Sequence, residues 1–169
     1  AALLPGAPAT RALQVSSAGW WQVAQDMSAS GGRLLALWIS GGPAPAMRVR
    51  SCYAAAAGLL VVELLLASAE QEYPGLEDIF PAATRMQRAA ADLTGVRSTD
   101  PDRRPWLRHA AWPASFRPLL DATVPESAAS STADHYPFVR VGGEGVHEIP
   151  VGPVHAGIIE PGHFRFSIV

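Results

Sequence analysis

RLLALWISGGPAPAMRVRSCYAAAAGLLVVELLL, residues 33–66, carries the pattern from which the rest of the architecture follows. Arg33 to Ser40 is an apolar run of strand length, stopped by Gly41-Gly42-Pro43. Met47 to Ala54 alternates, placing Met47, Val49, Ser51 and Tyr53 on one face and Arg48, Arg50 and Cys52 on the other. Gly58 breaks the chain again before Leu59 to Leu66, a third strand candidate. The links are short, whereas parallel neighbours need a crossover of about a dozen residues, so an antiparallel meander is expected. A helix over Ala54 to Ala69 is the rival reading, because alanine and leucine are strong helix formers.

Upstream, Ser16 or Ser17 is placed to cap a helix carrying Trp20, Trp21, Val23, Ala24 and Met27, ended by Gly31-Gly32. Downstream, Pro81 suits a first helical position. Met86, Ala89, Ala90 and Leu93 follow at spacings of three and four, and Gly95 suits the stop. Glu77 and Asp78 fall near that expected helix start, where carboxylates complement the helix dipole. The fold class expected is therefore α+β: a short helix, a three-stranded antiparallel sheet and a second helix packed on the same sheet face.

From Arg97 the character changes. Pro101, Pro105, Pro113 and Pro118 prevent a regular ladder, while Trp106, Leu107, Trp112 and Phe116 seek burial. Such a segment reads as an extended proline-rich arm wrapping a surface. Thr123 to Asp134 is small and polar, a linker by composition. Tyr136 to Val141 and Glu148 to Val151 are strand-like. Phe164 to Val169 alternates without an end signal, so a C-terminal β-hairpin cut in mid-strand is expected. Ala1 to Pro8 reads as a loose leader lacking the features of a signal peptide.

Composition excludes several functions. The 169 residues carry a formal charge of only −2, so no basic excess exists to neutralise nucleic-acid phosphates. Every one of the 13 basic residues is arginine, which removes lysine Schiff-base chemistry and a phosphate-loop lysine. The lone Cys52 excludes an internal disulfide or a cysteine metal cluster and reads as a small buried hydrophobe. The apolar run Leu59 to Ala67 contains Glu63 and is far shorter than the ~20 residues a membrane-spanning helix needs, so no direct membrane insertion is expected.

All five histidines lie toward the C-terminal end, from His109 onward, and His147, His155 and His163 recur at intervals of eight near Glu148 and Glu160. Imidazole and carboxylate together suit zinc or iron, but the spacing matches no compact ligand motif. Asp100, Asp102, Arg103, Arg104 and Arg108 cluster beside Trp106. That cluster reads either as a solvated arm with local ion pairs or as a docking surface anchored by arginine and tryptophan. Gly142 to Gly145 lacks the strand, helix and acidic partner of a dinucleotide site.

Two stretches carry a resemblance. Ile79 to Val96, with Asp100 to Ala122, resembles the C subunit of NADH dehydrogenase (respiratory complex I), whose pattern runs E-R-E-x-x-D-L-F-G, H-P-D-L-R-R, W-P and P-L-R. Arg88, Asp92, Leu93, Gly95, Pro101, Asp102, Arg104, Trp112, Pro113, Pro118 and Leu119 match it. Gln87 and Ala89 stand where that pattern has glutamates, Asp100 where it has histidine, and Leu120 where it has arginine. Gly145 to Val169 resembles the opening of the large subunit of membrane-bound nickel–iron hydrogenases of the formate hydrogenlyase type. In that type, a domain like the complex I C subunit precedes the opening. The resemblance implies a loop near a quinone cavity or its equivalent at Gly152, Pro153 and His155. It implies a segment beside a metal centre at Glu160, His163 and Arg165. For Arg88, Asp92, Asp102, Arg104 and Trp112 it implies docking to neighbouring subunits, a surface that Trp106 joins from the charged cluster.

The resemblance also implies boundaries: residues 1–122 form the domain like the complex I C subunit, 123–140 a linker, and 141–169 a truncated N-terminal hairpin of a large subunit. The expected role is non-catalytic assembly within a redox complex, with an iron–sulfur small subunit among the partners and a location on the cytoplasmic face of the inner membrane. No cofactor is expected in this chain. A nickel–iron centre, quinone or NADH would belong to the complete complex, because the family's two C-x-x-C pairs are absent here. The rival expectations are a stand-alone interaction module and, less favoured by spacing, a His/Glu metalloenzyme.

Overall fold

The structure, a computed structural model, describes residues 2–4, 9–41, 47–67, 72–108, 112–121, 123–126, 139–156 and 159–169; of residues 2–4, 155, 156 and 159–161 it describes the backbone alone. In chain order the elements are β1 (Ala2–Leu4), β2 (Thr10–Val15), α1 (Ser17–Ala29), β3 (Arg33–Ser40), β4 (Met47–Ala55), β5 (Gly58–Leu66), β6 (Glu72–Tyr73), α2 (Ala83–Thr94), β7 (Arg97–Ser98), β8 (His147–Ala156) and β9 (Ile159–Ile168). The α+β class and the antiparallel meander β3–β4–β5 are as the sequence implies. The helical alternative for Ala54 to Ala69 is overturned, because Met47 to Ala55 pairs continuously with Gly58 to Leu66.

The sheet is larger than the meander. Its strand order is β1-β2-β5-β4-β3, with β2 parallel to β5 and β1 antiparallel to β2. Neither added strand is legible in the sequence, and part of the segment read as a loose leader is a sheet edge. The α1 helix begins at the expected Ser16 cap, whose Oγ accepts from Gly19 N–H at 3.2 Å. The α2 helix begins at Ala83, beyond the expected start at Pro81, because Phe80 N–H bonds Leu76 O and a turn occupies the intervening residues. Glu77 and Asp78 therefore precede the first helical turn. Gly95 ends α2 with φ 82°, a left-handed conformation that glycine adopts without side-chain strain.

The alternation of β4 is realised: Val49, Ser51 and Tyr53 are fully buried, while Arg48, Arg50 and Cys52 face outward. From β5, Val62, Leu64 and Leu66 join the same core, against Trp20, Ala24 and Met27 of α1 and Ala83 and Ala90 of α2. Each such large aliphatic contributes about 1.5–3 kcal/mol by leaving water. Trp20 stands edge-on to Tyr73, with ring centroids 6.2 Å apart, and its indole N–H donates to Pro74 O at 3.0 Å. On the outer face Arg50 and Glu63 lie directly across the strands, with Nη2 and Oε2 at 2.6 Å. Cys52, expected to be buried, is only half-buried on the outer face of β4, and that partial burial pushes its thiol up.

Two compact units, Ala1–Thr132 and Ala133–Val169, divide the chain. Most of the segment read as a linker, and residues 136–138 of the expected strand Tyr136 to Val141, lie outside the described residues; Val139 to Val141 are irregular. In the second unit β8 and β9 pair antiparallel from His147↔Ile168 to Ala156↔Ile159, longer than the expected Glu148 to Val151. No helix among the described residues is long and apolar enough to cross a membrane.

Candidate functional site

The proline-rich arm folds back onto α2, and the helix spacing explains how. Arg88 and Asp92, four residues apart, lie one above the other on the α2 surface that meets the arm. The Arg88 guanidinium donates to Arg104 O at 2.6 Å and to Pro105 O at 3.0 Å, and reaches the Asp102 carboxylate at 3.3 Å. It also lies 5.3 Å from the centre of the Trp106 ring, with Arg85 at 5.5 Å from the same ring. Asp92 accepts from Trp106 N–H at 2.6 Å and Leu107 N–H at 2.7 Å. These contacts satisfy main-chain groups that prolines keep out of any ladder.

Asp102 is held from two sides. Arg104 donates to it through Nε at 2.9 Å, Nη2 at 2.7 Å and its backbone N–H at 3.1 Å. The Arg104 side-chain bonds, then its backbone N–H and the nearby guanidinium charges, hold the Asp102 carboxyl well below the usual carboxylate range. Trp112 takes no part in this cluster; it stacks edge-on against Phe116 with centroids 5.5 Å apart. Arg108 closes the arm on itself by donating to the carbonyls of Phe116, Trp112 and Pro113.

One level deeper, Gln87 is buried beneath the arm. Its Oε1 accepts from Leu76 N–H at 3.0 Å and its Nε2 donates to Asp100 Oδ2. Asp100 also accepts from Glu77 N–H at 3.2 Å. A Cβ on Gly75 would sit 1.9 Å from Asp100 Oδ1, so the carboxylate occupies space that only glycine leaves open. Desolvation, followed by the negative charges of Asp100, Asp78 and Asp102, raises the Glu77 carboxyl. The sequence flags Arg88, Asp92, Asp102, Arg104 and Trp106, and the structure brings these five together. It does not flag Gln87 as a site, because its partners Leu76 N–H and Asp100 are distant in sequence.

In the second unit the Gly152–Pro153 peptide is cis, and a Cβ on Gly152 would approach His163 Cδ2 to 2.4 Å. Arg165 Nη1 donates to Glu148 across the hairpin at 3.4 Å. Ile149, Val151, Phe164, Phe166 and Ile168 are all exposed, and Phe164 and Phe166 stack at 6.0 Å. The side chains of His155 and Glu160 lie outside the described residues. Among the described residues no three His, Cys, Asp or Glu side chains come together as a metal site.

No protein-family profile matches the chain. It is 32% identical over 115 residues to hydrogenase-4 component G of Escherichia coli (strain K12), an alignment covering 64% of this chain and 20% of that protein. It is 30% identical over 102 residues to formate hydrogenlyase subunit 5 of the same organism, covering 57% of this chain and 18% of that protein. The chain spans about one fifth of the length of these curated relatives. Over that stretch, the chain is related in sequence to subunits of hydrogenase-4 and formate hydrogenlyase.

Proposed function

We propose that this chain is an assembly and docking part of the large subunit of a hydrogenase-4 or formate hydrogenlyase type complex, with no catalytic step of its own. The observation that carries the reading is the paired similarity to component G and subunit 5, proteins named as parts of larger machines. In this reading residues 1–122 are the domain like the complex I C subunit, and the exposed apolar face of the β8–β9 hairpin awaits covering by further protein. Apolar side chains exposed together on one hairpin support that, since an isolated two-stranded hairpin is marginal in water. The partners are an iron–sulfur small subunit and other subunits at the cytoplasmic face of the inner membrane.

The residues present do not fit a nickel–iron centre, whose thiolate ligands a single half-buried cysteine cannot supply. In this reading, redox chemistry by metal, quinone or NADH belongs to the rest of the assembly. Gly152, Pro153 and His155, with Glu160, His163 and Arg165, would line its approach.

The test is native mass spectrometry and metal analysis of the protein purified under mild conditions from its source cells. A species far above 17.8 kDa containing an iron–sulfur partner and nickel is the expected result. A 17.8 kDa species without partner or metal would replace this reading by a stand-alone interaction module. Quinone or NADH activity in the isolated chain would overturn it outright.

A further inference from the structure

Between α2, β7 and the arm lies a cavity of about 280 Å³ whose lining is unlike the rest of the molecule. Five arginines, Arg88, Arg97, Arg103, Arg108 and Arg117, are among the residues that line it. Only two carboxylates, Asp92 and Asp102, share the lining, leaving an excess of three positive charges. The chain as a whole carries −2, so this concentration is local and not a reflection of composition.

Arg88 is paired with Asp102 and Arg103 with Glu72, whereas the contacts of Arg108 and Arg117 orient them without neutralising them. Arg108 and Arg117 donate to carbonyls of the arm, including Arg117 Nη1 to Phe116 O at 2.8 Å and to Ala114 O at 2.9 Å. Arg103 donates to Ser98 O at 2.9 Å and meets Glu72, outside the lining, at 3.4 Å. Carbonyl oxygens carry no net charge, and each guanidinium offers five donors, so donors and charge both remain. The Arg97 side chain is exposed and has no polar partner among the described residues.

We infer that this cavity binds a compact multivalent oxyanion, such as a phosphate group, through bidentate guanidinium contacts. Its volume is at the small end of ligand pockets, which suits a phosphate-sized group and excludes a dinucleotide. Planar guanidinium forks match oxyanion geometry, and the partly enclosed wall strengthens the attraction relative to open water. Arg97 is the free arm of the site; Arg103, Arg108 and Arg117 are its fixed wall. The inference rests on the cavity alone and stands whether or not the assembly role holds.

The test is isothermal titration calorimetry of the full chain with inorganic phosphate, with ionic strength held constant by chloride. One saturable site is expected. Arg97→Gln, which removes no internal bond, should weaken it roughly tenfold, as loss of a charged hydrogen bond does. Arg97→Lys should fall between wild type and R97Q, because it keeps charge and loses the fork. Arg11→Gln, on β2 and separated from β3 by two strands, should leave the affinity unchanged. Three results would overturn the inference: no saturable heat up to about 10 mM phosphate, equal weakening by R11Q and R97Q, or displacement of phosphate by a glutamate-rich peptide that binds more tightly. The last would give the cavity to an acidic segment of a protein partner.

Discussion

Gln87 and Asp100 are hydrogen-bonded to each other beneath the arm, Gln87 Nε2 donating to Asp100 Oδ2. They come from α2 and from the arm, 13 residues apart in sequence. An amide and a carboxylate thus satisfy each other in a largely buried place.

Gln87→Glu should place a second carboxylate against Asp100 in a nearly dry site. A loss of about 3 kcal/mol at pH 7 is expected. The loss should shrink at acid pH, where protonating either member of a like-charged pair relieves the repulsion. The double variant Gln87→Glu/Asp100→His should be less destabilised than Gln87→Glu alone. Urea unfolding of wild type, both single variants and the double variant between pH 4 and 8 reads both effects.

Gly75→Ala tests the same pocket from the other side. The added Cβ would meet Asp100 Oδ1 at 1.9 Å, while Gly75 N–H is tied to Thr99 Oγ1 and the Asp100 carboxylate to Glu77 N–H. Displacing the carboxylate leaves Gln87 and Glu77 N–H without their acceptor, so a loss of about 2–4 kcal/mol is expected. A thermal unfolding midpoint within error of wild type would contradict this account.

Asp92→Ala should release the arm while leaving the sheet intact. Two backbone N–H groups, of Trp106 and Leu107, lose their common acceptor, at a cost of about 1–3 kcal/mol. Amide hydrogen exchange should accelerate at those two residues and leave β4 and β5 protected.

Asp102 gives a pH dependence of defined sign. Its folded carboxyl lies below the unfolded value of ~3.9, so its contribution is fully present above that value and fades as pH falls through the folded one. The stability difference between wild type and Asp102→Asn should therefore be constant from pH 7 to about 5 and decline only below ~3.9. No stability difference between the two at pH 7 would mean that the Arg104 and Arg88 contacts do not hold in solution.

Much of the sheet and both helices can be read locally. Ser16 caps α1, Gly95 stops α2, and the alternation of Met47 to Ala54 selects the buried face, because each depends on neighbours within a few residues. Ala54 to Ala69 is ambiguous at that level because alanine and leucine suit either state. Cross-strand pairing with Met47 to Ala55 resolves it. The arginine, aspartate and tryptophan positions that join α2 to the arm are likewise visible as residue types.

Residue order alone thus specifies the α+β class, the meander, the cap of α1, the stop of α2 and the change of character at Arg97. The parallel pairing of Thr10–Val15 with β5 emerges only on folding, since the partner lies across α1 and most of the meander. The same is true of the bond between Gln87 and Asp100, and of the five arginines that α2, β7 and the arm gather around one cavity. Helix periodicity, capping and turns are short-range properties carried by residue type. Strand partners and charge clusters depend on which distant segments the core brings together, and no local pattern encodes that.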